Sequence, residues 1–302
     1  IENRSAIGDV DPVTGKPTLY SSTQAPHLTR RAVAEELHLP EGDLRVVAAD
    51  VGGGFGYKGK HYPEETIVTW AAMRLGRPVR WIGGRDEAFV SDTQGRDHLT
   101  SGELALDGNG IFLALRVSTV ANLGAYVSTF GANIPTAIYA ALLIGVYRTP
   151  AIAVDITTVF TNTVPTDAYR GAGRPEACYL LERLADLAAD ELGIDRAEIR
   201  RRNLIQPDQM PYTTPIGPTY DSGNFPQILD TALASAGYEG FEARRREAAA
   251  EGRLRGIGLA VFVETSGVAP SKFAGMMGAR IGLFEAAHVR ADPSGGIRVA
   301  LG

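Results

Sequence analysis

Two glycine-rich segments hold the residues best suited to chemistry. The first is Val51 to Lys60, which contains Gly52-Gly53-Gly54-Phe55-Gly56. Glycines let backbone N–H groups approach a phosphate or oxo group with no Cβ in the way. A short apolar stretch precedes this segment and a helical pattern follows it, the setting of an anion site near a helix N-terminus. The second segment is Asp167-Ala168-Tyr169-Arg170-Gly171-Ala172-Gly173-Arg174-Pro175-Glu176-Ala177. It places two arginines on a glycine-rich loop at a helix start, where N–H donors and guanidinium groups can meet an anion.

The first segment also satisfies two nucleotide patterns by letter. Gly54, Gly56 and Gly59 fit G-x-G-x-x-G, yet Pro63 places the helix start several residues too late. The ribose-binding acid expected about 20 residues on is not clear either, Asp86 being a poor fit. Gly54, Gly59 and Lys60 fit G-x-x-x-x-G-K, but the next residue is His61 rather than a hydroxyl-bearing side chain for magnesium. A Rossmann- or P-loop-type nucleotide-binding protein is therefore the alternative reading. The histidines, His27, His38, His61, His98 and His288, show no metal-ligand spacing, so no protein metal site is expected. Trp70 and Trp81 read as core residues of a helix and a strand, not as a stacking platform.

The surrounding elements must position these loops. Thr18 to Thr23 reads as a strand, and Pro26 to Leu37 as a helix with Leu28, Val33 and Leu37 near one face. Leu44 to Ala49 is a short strand running into the glycines. Pro63 opens a helix to Leu75 that Gly76 caps, and Pro78 to Ile82 is another strand. Leu99 to Asn122 predicts a hairpin turning at Asp107-Gly108-Asn109-Gly110. Ile152 to Thr161 is a strand, and Glu176 to Leu192 is an amphipathic helix ended by Gly193. Asp195 and Glu198 have capping-box spacing for a helix to Leu204. The polar run Glu242 to Arg255 reads as an exposed helix and linker, so domains of 1–250 and 251–302 are expected. New β structure is expected from Ile257 to Glu264, with a final hairpin turning at Asp292 to Gly296. Hairpins and strand–helix units occur together, so the fold class is α+β, with mixed sheets and helices.

Composition narrows the function classes. The chain has 302 residues, 44% hydrophobic and 22% charged, ordinary for a globular protein. A net charge of -5 leaves no basic footprint for nucleic acid. No run of about 18 apolar residues predicts a membrane span. The single cysteine, Cys178, excludes an intramolecular disulfide and fits a reducing, cytoplasmic compartment. The chain opens at Ile1 without an initiator Met and closes on what reads as a strand in progress. It is therefore expected to be a piece of a longer polypeptide.

Three motifs in order resemble one family. Gly52 to Gly56 resembles the glycine stretch of the large subunits of molybdenum hydroxylases, the xanthine dehydrogenase and aerobic carbon monoxide dehydrogenase family. Ser22-Thr23-Gln24 resembles that family's upstream Ser-Thr-Gln segment, and Asp167 to Ala177 resembles its active-site loop. Asn122-Leu123-Gly124-Ala125-Tyr126 and Arg201-Arg202-Asn203-Leu204 are similar as well. Order and spacing match over nearly all of the chain.

The resemblance implies a molybdopterin carrying molybdenum, in bacteria as the cytosine dinucleotide form. It implies 2Fe-2S clusters and FAD on an iron–sulfur subunit and an FAD subunit, the remainder of the large subunit, and a small organic substrate. The reaction implied is oxidation of a carbon centre with oxygen drawn from water. The Gln24 amide would donate a hydrogen bond to the apical oxo ligand. Gln24, Phe55 and Arg170 would serve catalysis, and Gln24, Gly53, Gly54, Phe55, Gly56, Arg170, Gly171 and Ala172 would bind the cofactor. The family's catalytic glutamate and its later pterin-holding segments would lie past the end of this chain. Glu264 and Glu285 are accordingly not assigned as the base, and the segment alone is expected to be inactive. A non-catalytic homologue that only packs against partner subunits is a further alternative.

Departures from the family pattern narrow the substrate. Purine hydroxylases carry a glutamate at the position of Gly59, an arginine at Ile138 and a phenylalanine at Ala172. Their absence argues against xanthine. Aerobic carbon monoxide dehydrogenases place a copper-binding cysteine at the position of Gly171. Copper needs that thiolate, which argues against carbon monoxide. An aldehyde or an aromatic N-heterocycle remains.

Overall fold

The computed structural model describes residues 1–265 and 287–301. It falls into two units, Ile1–Phe262 and Val263–Gly302. In the first, β1 (Ser5–Val10), β2 (Pro17–Ser21), β3 (Arg45–Val47) and β4 (Val79–Ile82) form a sheet in the order β3-β2-β1-β4. β1 is antiparallel to β2 and β4, and β2 is parallel to β3. α1 (Pro26–Glu36) and α2 (Pro63–Leu75) pack on it, sharing a core of Ala6, Leu19, Val33, Ala34, Leu44 and Val68. Each helix opens on a proline, whose fixed φ and missing N–H suit a first turn. Gly76 closes α2 in the left-handed region at φ 61°.

α3 (Arg85–Ser91) leads to the second sheet, built from β5 (His98–Leu106), β6 (Phe112–Asn122) and β7 (Ala151–Val159) in that order. β5 and β6 make the expected hairpin, because the Asp107 carboxylate accepts the N–H groups of Asn109 and Ile111, both at 2.9 Å. β6 and β7 pair in parallel, with a π-helical turn (Ile134–Ile138) and the short α4 (Tyr139–Ala141) between them. α5 (Arg174–Leu192) is buried on this sheet through Ala177 and Leu181, which join Leu115, Val117, Tyr139, Leu142 and Leu143 in a second core.

α6 (Arg196–Asn203) starts at Asp195, whose carboxylate accepts from Ala197 and Glu198 at 2.9 and 3.0 Å. Glu198 does not complete the expected capping box. Its carboxylate pairs with Arg201 and Arg202 along the helix instead. A ribbon of β8 (Tyr212–Thr213) and β9 (Thr219–Tyr220) follows, then α7 (Phe225–Ala236) and α8 (Phe241–Ala250). In the second unit, β10 (Ala287–Ala291) and β11 (Ile297–Leu301) form the expected hairpin.

Two further expectations fail. Ile257 to Glu264 forms no strand. Side chains capture its backbone: Arg200 donates to the Leu259 carbonyl, and Glu182 accepts the Val261 N–H. Trp70 is not a core residue but 54% exposed, because Glu65, Val68, Thr69 and Ala72 make the buried face of α2. Trp81 does pack against the first core. The α+β class holds, and among the described residues no helix is long and apolar enough to cross a membrane.

Candidate active site

Three segments distant in sequence meet at Gln24. Its Oε1 accepts the Gly56 N–H at 2.9 Å, and its own N–H donates to the Lys58 carbonyl at 3.0 Å. The Thr23 hydroxyl donates to the same carbonyl at 3.1 Å. Lys58 anchors this corner because its buried ammonium pairs with Glu2 at 3.0 Å. The Gln24 Nε2 hydrogens have no partner among the described residues, and the side chain is exposed, so one amide donor remains available.

The glycines are required by close approach. A Cβ on Gly54 would lie 2.3 Å from Gln24 Oε1, and one on Gly56 would lie 2.3 Å from the Ala168 carbonyl oxygen. Phe55 and Gly56 sit at φ 50° and 103°, a left-handed pair that turns the Phe55 carbonyl to the Arg170 N–H at 2.9 Å. The Phe55 ring lies over Gly53, whose Cβ would fall 2.7 Å from it. The Arg170 guanidinium stands 5.7 Å from the same ring. Gln24, Gly53, Gly54, Phe55, Gly56 and Arg170 thus lie together. Gly171 and Ala172 continue the Arg170 loop at φ 94° and 41°, and the Ala172 N–H returns to the Tyr169 carbonyl at 2.7 Å.

Sequence reasoning missed what stands behind the loops. Asp167 and Lys60 are buried 3.9 Å apart, joining the ends of the two glycine segments. The Asp167 carboxylate also accepts the N–H groups of Ala168 and Phe130. Burial pushes the Lys60 ammonium down to about 8, against the opposing pull of Asp167 and Asp92. A lysine turned inward cannot cradle a nucleotide phosphate, and α2 begins at Pro63, after the glycines. Both points argue against the P-loop and Rossmann readings. The other missed residue is Arg96. It donates to the Arg170 carbonyl, lies 4.6 Å over the Tyr169 ring and stands 3.8 Å from the Glu176 carboxylate. No local signal marks it, since it sits in an irregular stretch between α3 and β5. His61 is held between Glu65 and Glu36 at 2.9 and 3.2 Å. Burial opposes its charge, but the two carboxylates outweigh burial and raise its pKa.

Residues 1–204 match the family model of the molybdopterin cofactor-binding domain. The chain belongs to that family. Similar proteins include the carbon monoxide dehydrogenase large chain of Hydrogenophaga pseudoflava, 37% identical over 310 residues. Another is the 6-hydroxypseudooxynicotine dehydrogenase complex subunit gamma of Paenarthrobacter nicotinovorans, 32% identical over 307 residues. Each match takes in the whole of this chain, but only 38% and 37% of the relative. Among solved structures, quinoline 2-oxidoreductase from Pseudomonas putida 86 superposes with a TM-score of 0.89 at 35% identity, over 99% of this chain and 38% of that one. The molybdopterin-binding chain therefore spans well under half the length of these relatives.

The residues present fit the family's cofactor. Gly54 and Gly56 take no side chain because Gln24 and the Ala168 carbonyl fill their Cβ positions, which brings bare backbone beside the Gln24 amide, a surface that suits a bulky anionic group. Gln24 keeps its donor beside them. The departures in sequence are built into the backbone. A Cβ on Gly171 would lie 2.4 Å from Pro175 Cγ, at a φ that side chains rarely adopt, so this loop shape does not take a cysteine there. Ala172 is already left-handed, and a Cβ on Gly59 would press to 3.0 Å from the Gly56 carbonyl oxygen. Ile138 packs against Gly173 instead of offering a charge.

Proposed function

We propose that this chain is the cofactor-holding segment of a molybdenum hydroxylase acting on an aromatic N-heterocycle or an aldehyde. The observation that carries the proposal is the meeting of Gln24, the Gly53–Gly56 backbone and the Arg170 loop at one place. The cofactor, when bound, supplies the two-electron oxidation of carbon with oxygen from water. The chain's own share is positioning. Gln24 offers an oriented amide donor, Gly53, Gly54 and Gly56 admit the group closely, and Phe55 and Arg170 wall one side. Gly171 and Ala172 complete the cradle. Residues 1–250 would then form the first cofactor-binding domain and 251–302 the start of a second.

The heterocycle is favoured over the aldehyde by the similarity to quinoline 2-oxidoreductase. The 37% identity to a carbon monoxide dehydrogenase large chain does not transfer its chemistry, because the Gly171 backbone excludes a thiol at the copper-binding position. Electrons would leave through 2Fe-2S clusters and FAD on an iron–sulfur subunit and an FAD subunit, in the cytoplasm. The pterin would carry a cytosine nucleotide.

The test is the metal and nucleotide content of the natural complex purified through this chain. Molybdenum with iron, and a cytosine nucleotide released by acid, supports the proposal. A well-folded complex lacking both would make the chain a non-catalytic homologue. Tight binding of NAD or ATP by the chain would restore the nucleotide-binding reading.

A further inference from the structure

We propose that Arg96 is a positioning residue for the reaction. Its guanidinium sets the backbone of Tyr169–Gly171, and through it the place of the Arg170 side chain and of the neighbouring N–H groups beside the cofactor. The proposal rests on the function argued above and adds to it a residue outside the cradle.

Four observations converge. Arg96 donates from one terminal nitrogen to the Arg170 carbonyl oxygen. Its guanidinium plane covers the Tyr169 ring at 4.6 Å. Its Nε faces the Glu176 carboxylate at 3.8 Å. The Glu176 Oε2 is buried without a hydrogen-bond partner among the described residues, and Arg96 places a cation 3.8 Å from it at the start of α5. One fork therefore touches the residue before Arg170, Arg170 itself and the helix that follows the loop. The stretch carrying Arg96 is tied to the same loop by its backbone. Gln94 N–H donates to the Pro165 carbonyl at 3.2 Å, and the Asp167 N–H donates to the Gln94 carbonyl at 2.8 Å. A Cβ on Gly95 would fall 2.7 Å from Tyr169 Cβ, so the two backbones run in direct contact.

The geometry also explains why the loop keeps its shape. Gly171, Ala172 and Gly173 all have positive φ. Arg96 itself is left-handed at φ 60°. Non-glycine residues hold such angles only where surrounding contacts over-determine them. A planar guanidinium with several donors can serve a carbonyl, a ring face and a carboxylate at once, whereas a lysine ammonium is a point charge on a flexible stem.

The test uses the complete enzyme complex with Arg96→Met, Arg96→Lys and Glu176→Gln, each compared per molybdenum bound. Arg96→Met is expected to lower kcat per molybdenum by about 10–100-fold with little change in KM, as loss of a supporting contact around a metal centre does. It is also expected to shift the paramagnetic resonance spectrum of the molybdenum. Arg96→Lys recovers part of both changes, and Glu176→Gln produces a weaker shift in the same direction. A merely structural role would lower yield or melting temperature while leaving kcat per molybdenum and the spectrum as in the wild type, and that result overturns the proposal. Where Arg96→Met fails to fold, Glu176→Gln decides by the same two readouts. A wild-type complex without molybdenum overturns the functional reading itself, which separates the two failures.

Discussion

Gln24 divides its amide between two tasks. The oxygen holds Gly56, and the nitrogen remains available beside the glycine loop. Replacing it tests each half. In the complete enzyme, Gln24→Ala is expected to lower turnover by about 10²–10³-fold, the usual effect of removing one oriented donor at a catalytic centre. Gln24→Glu keeps an oxygen for the Gly56 N–H but exchanges the donor for a second, charged carboxylate oxygen, so it should fold as the wild type and lose at least comparable turnover. Full activity in the glutamate variant would remove the donor role. Lys60 makes a second prediction, about pH. Its ammonium sits at about 8 when folded, against the ordinary 10.5. The unfolded chain therefore binds this proton more tightly, and stability rises as pH climbs from 8 towards 10.5. Melting temperature against pH should show that rise in the wild type and a flatter curve in Lys60→Met, which carries no such group. Gln24 was legible in the sequence because a motif of three letters marks it. Lys60 was legible only as a letter of the wrong motif, since burial and the approach of Asp167 depend on a loop 107 residues away in the chain. Arg96 belongs to no local pattern at all.

The elements were legible where the chain carries punctuation. Pro63 and Gly76 bound α2 at the residues expected, because a proline suits the first turn and a left-handed glycine the end. The hairpin at Asp107–Gly110 follows from a side chain that closes its own turn. The same reasoning failed at Ile257–Glu264. Alternating apolar residues suggested a strand there, but the partners of that backbone are Glu182 on α5 and Arg200 on α6, which no local window contains. At this scale the cap of α6 is a clean test. Asp195 accepts two helix N–H groups and also the Tyr238 hydroxyl at 2.9 Å. Asp195→Ala should cost about 1–2 kcal/mol in chemical denaturation. An unchanged midpoint would mean that α6 is held by its packing alone.

At the scale of the whole first unit, one buried node ties four segments. Glu182 accepts from the Tyr147 hydroxyl at 2.5 Å, from Arg200 at 2.8 Å and from the Val261 N–H at 3.0 Å. Arg200 is fully buried and pairs with Asp186 as well. Removing one partner of a buried ion pair is costly, so Glu182→Gln should destabilise the protein by about 3 kcal/mol. The low end of the range applies because Asp186 still faces Arg200. Hydrogen exchange at the Val261 amide should quicken in the same variant, and protection at the wild-type level would show that the node does not hold that strand of chain. The meeting of Gln24, Phe55, Arg96 and Arg170 has a consequence for how such a protein is made. Arg96 and Arg170 alone are 74 residues apart, and β3, α2 and β4 lie between Gln24 and both. A nascent chain leaving the ribosome thus carries at most the Gln24–Gly56 part of the cradle until the Arg170 loop has emerged. On the function proposed above, loading would follow folding, as a late step of biogenesis on a finished receptacle.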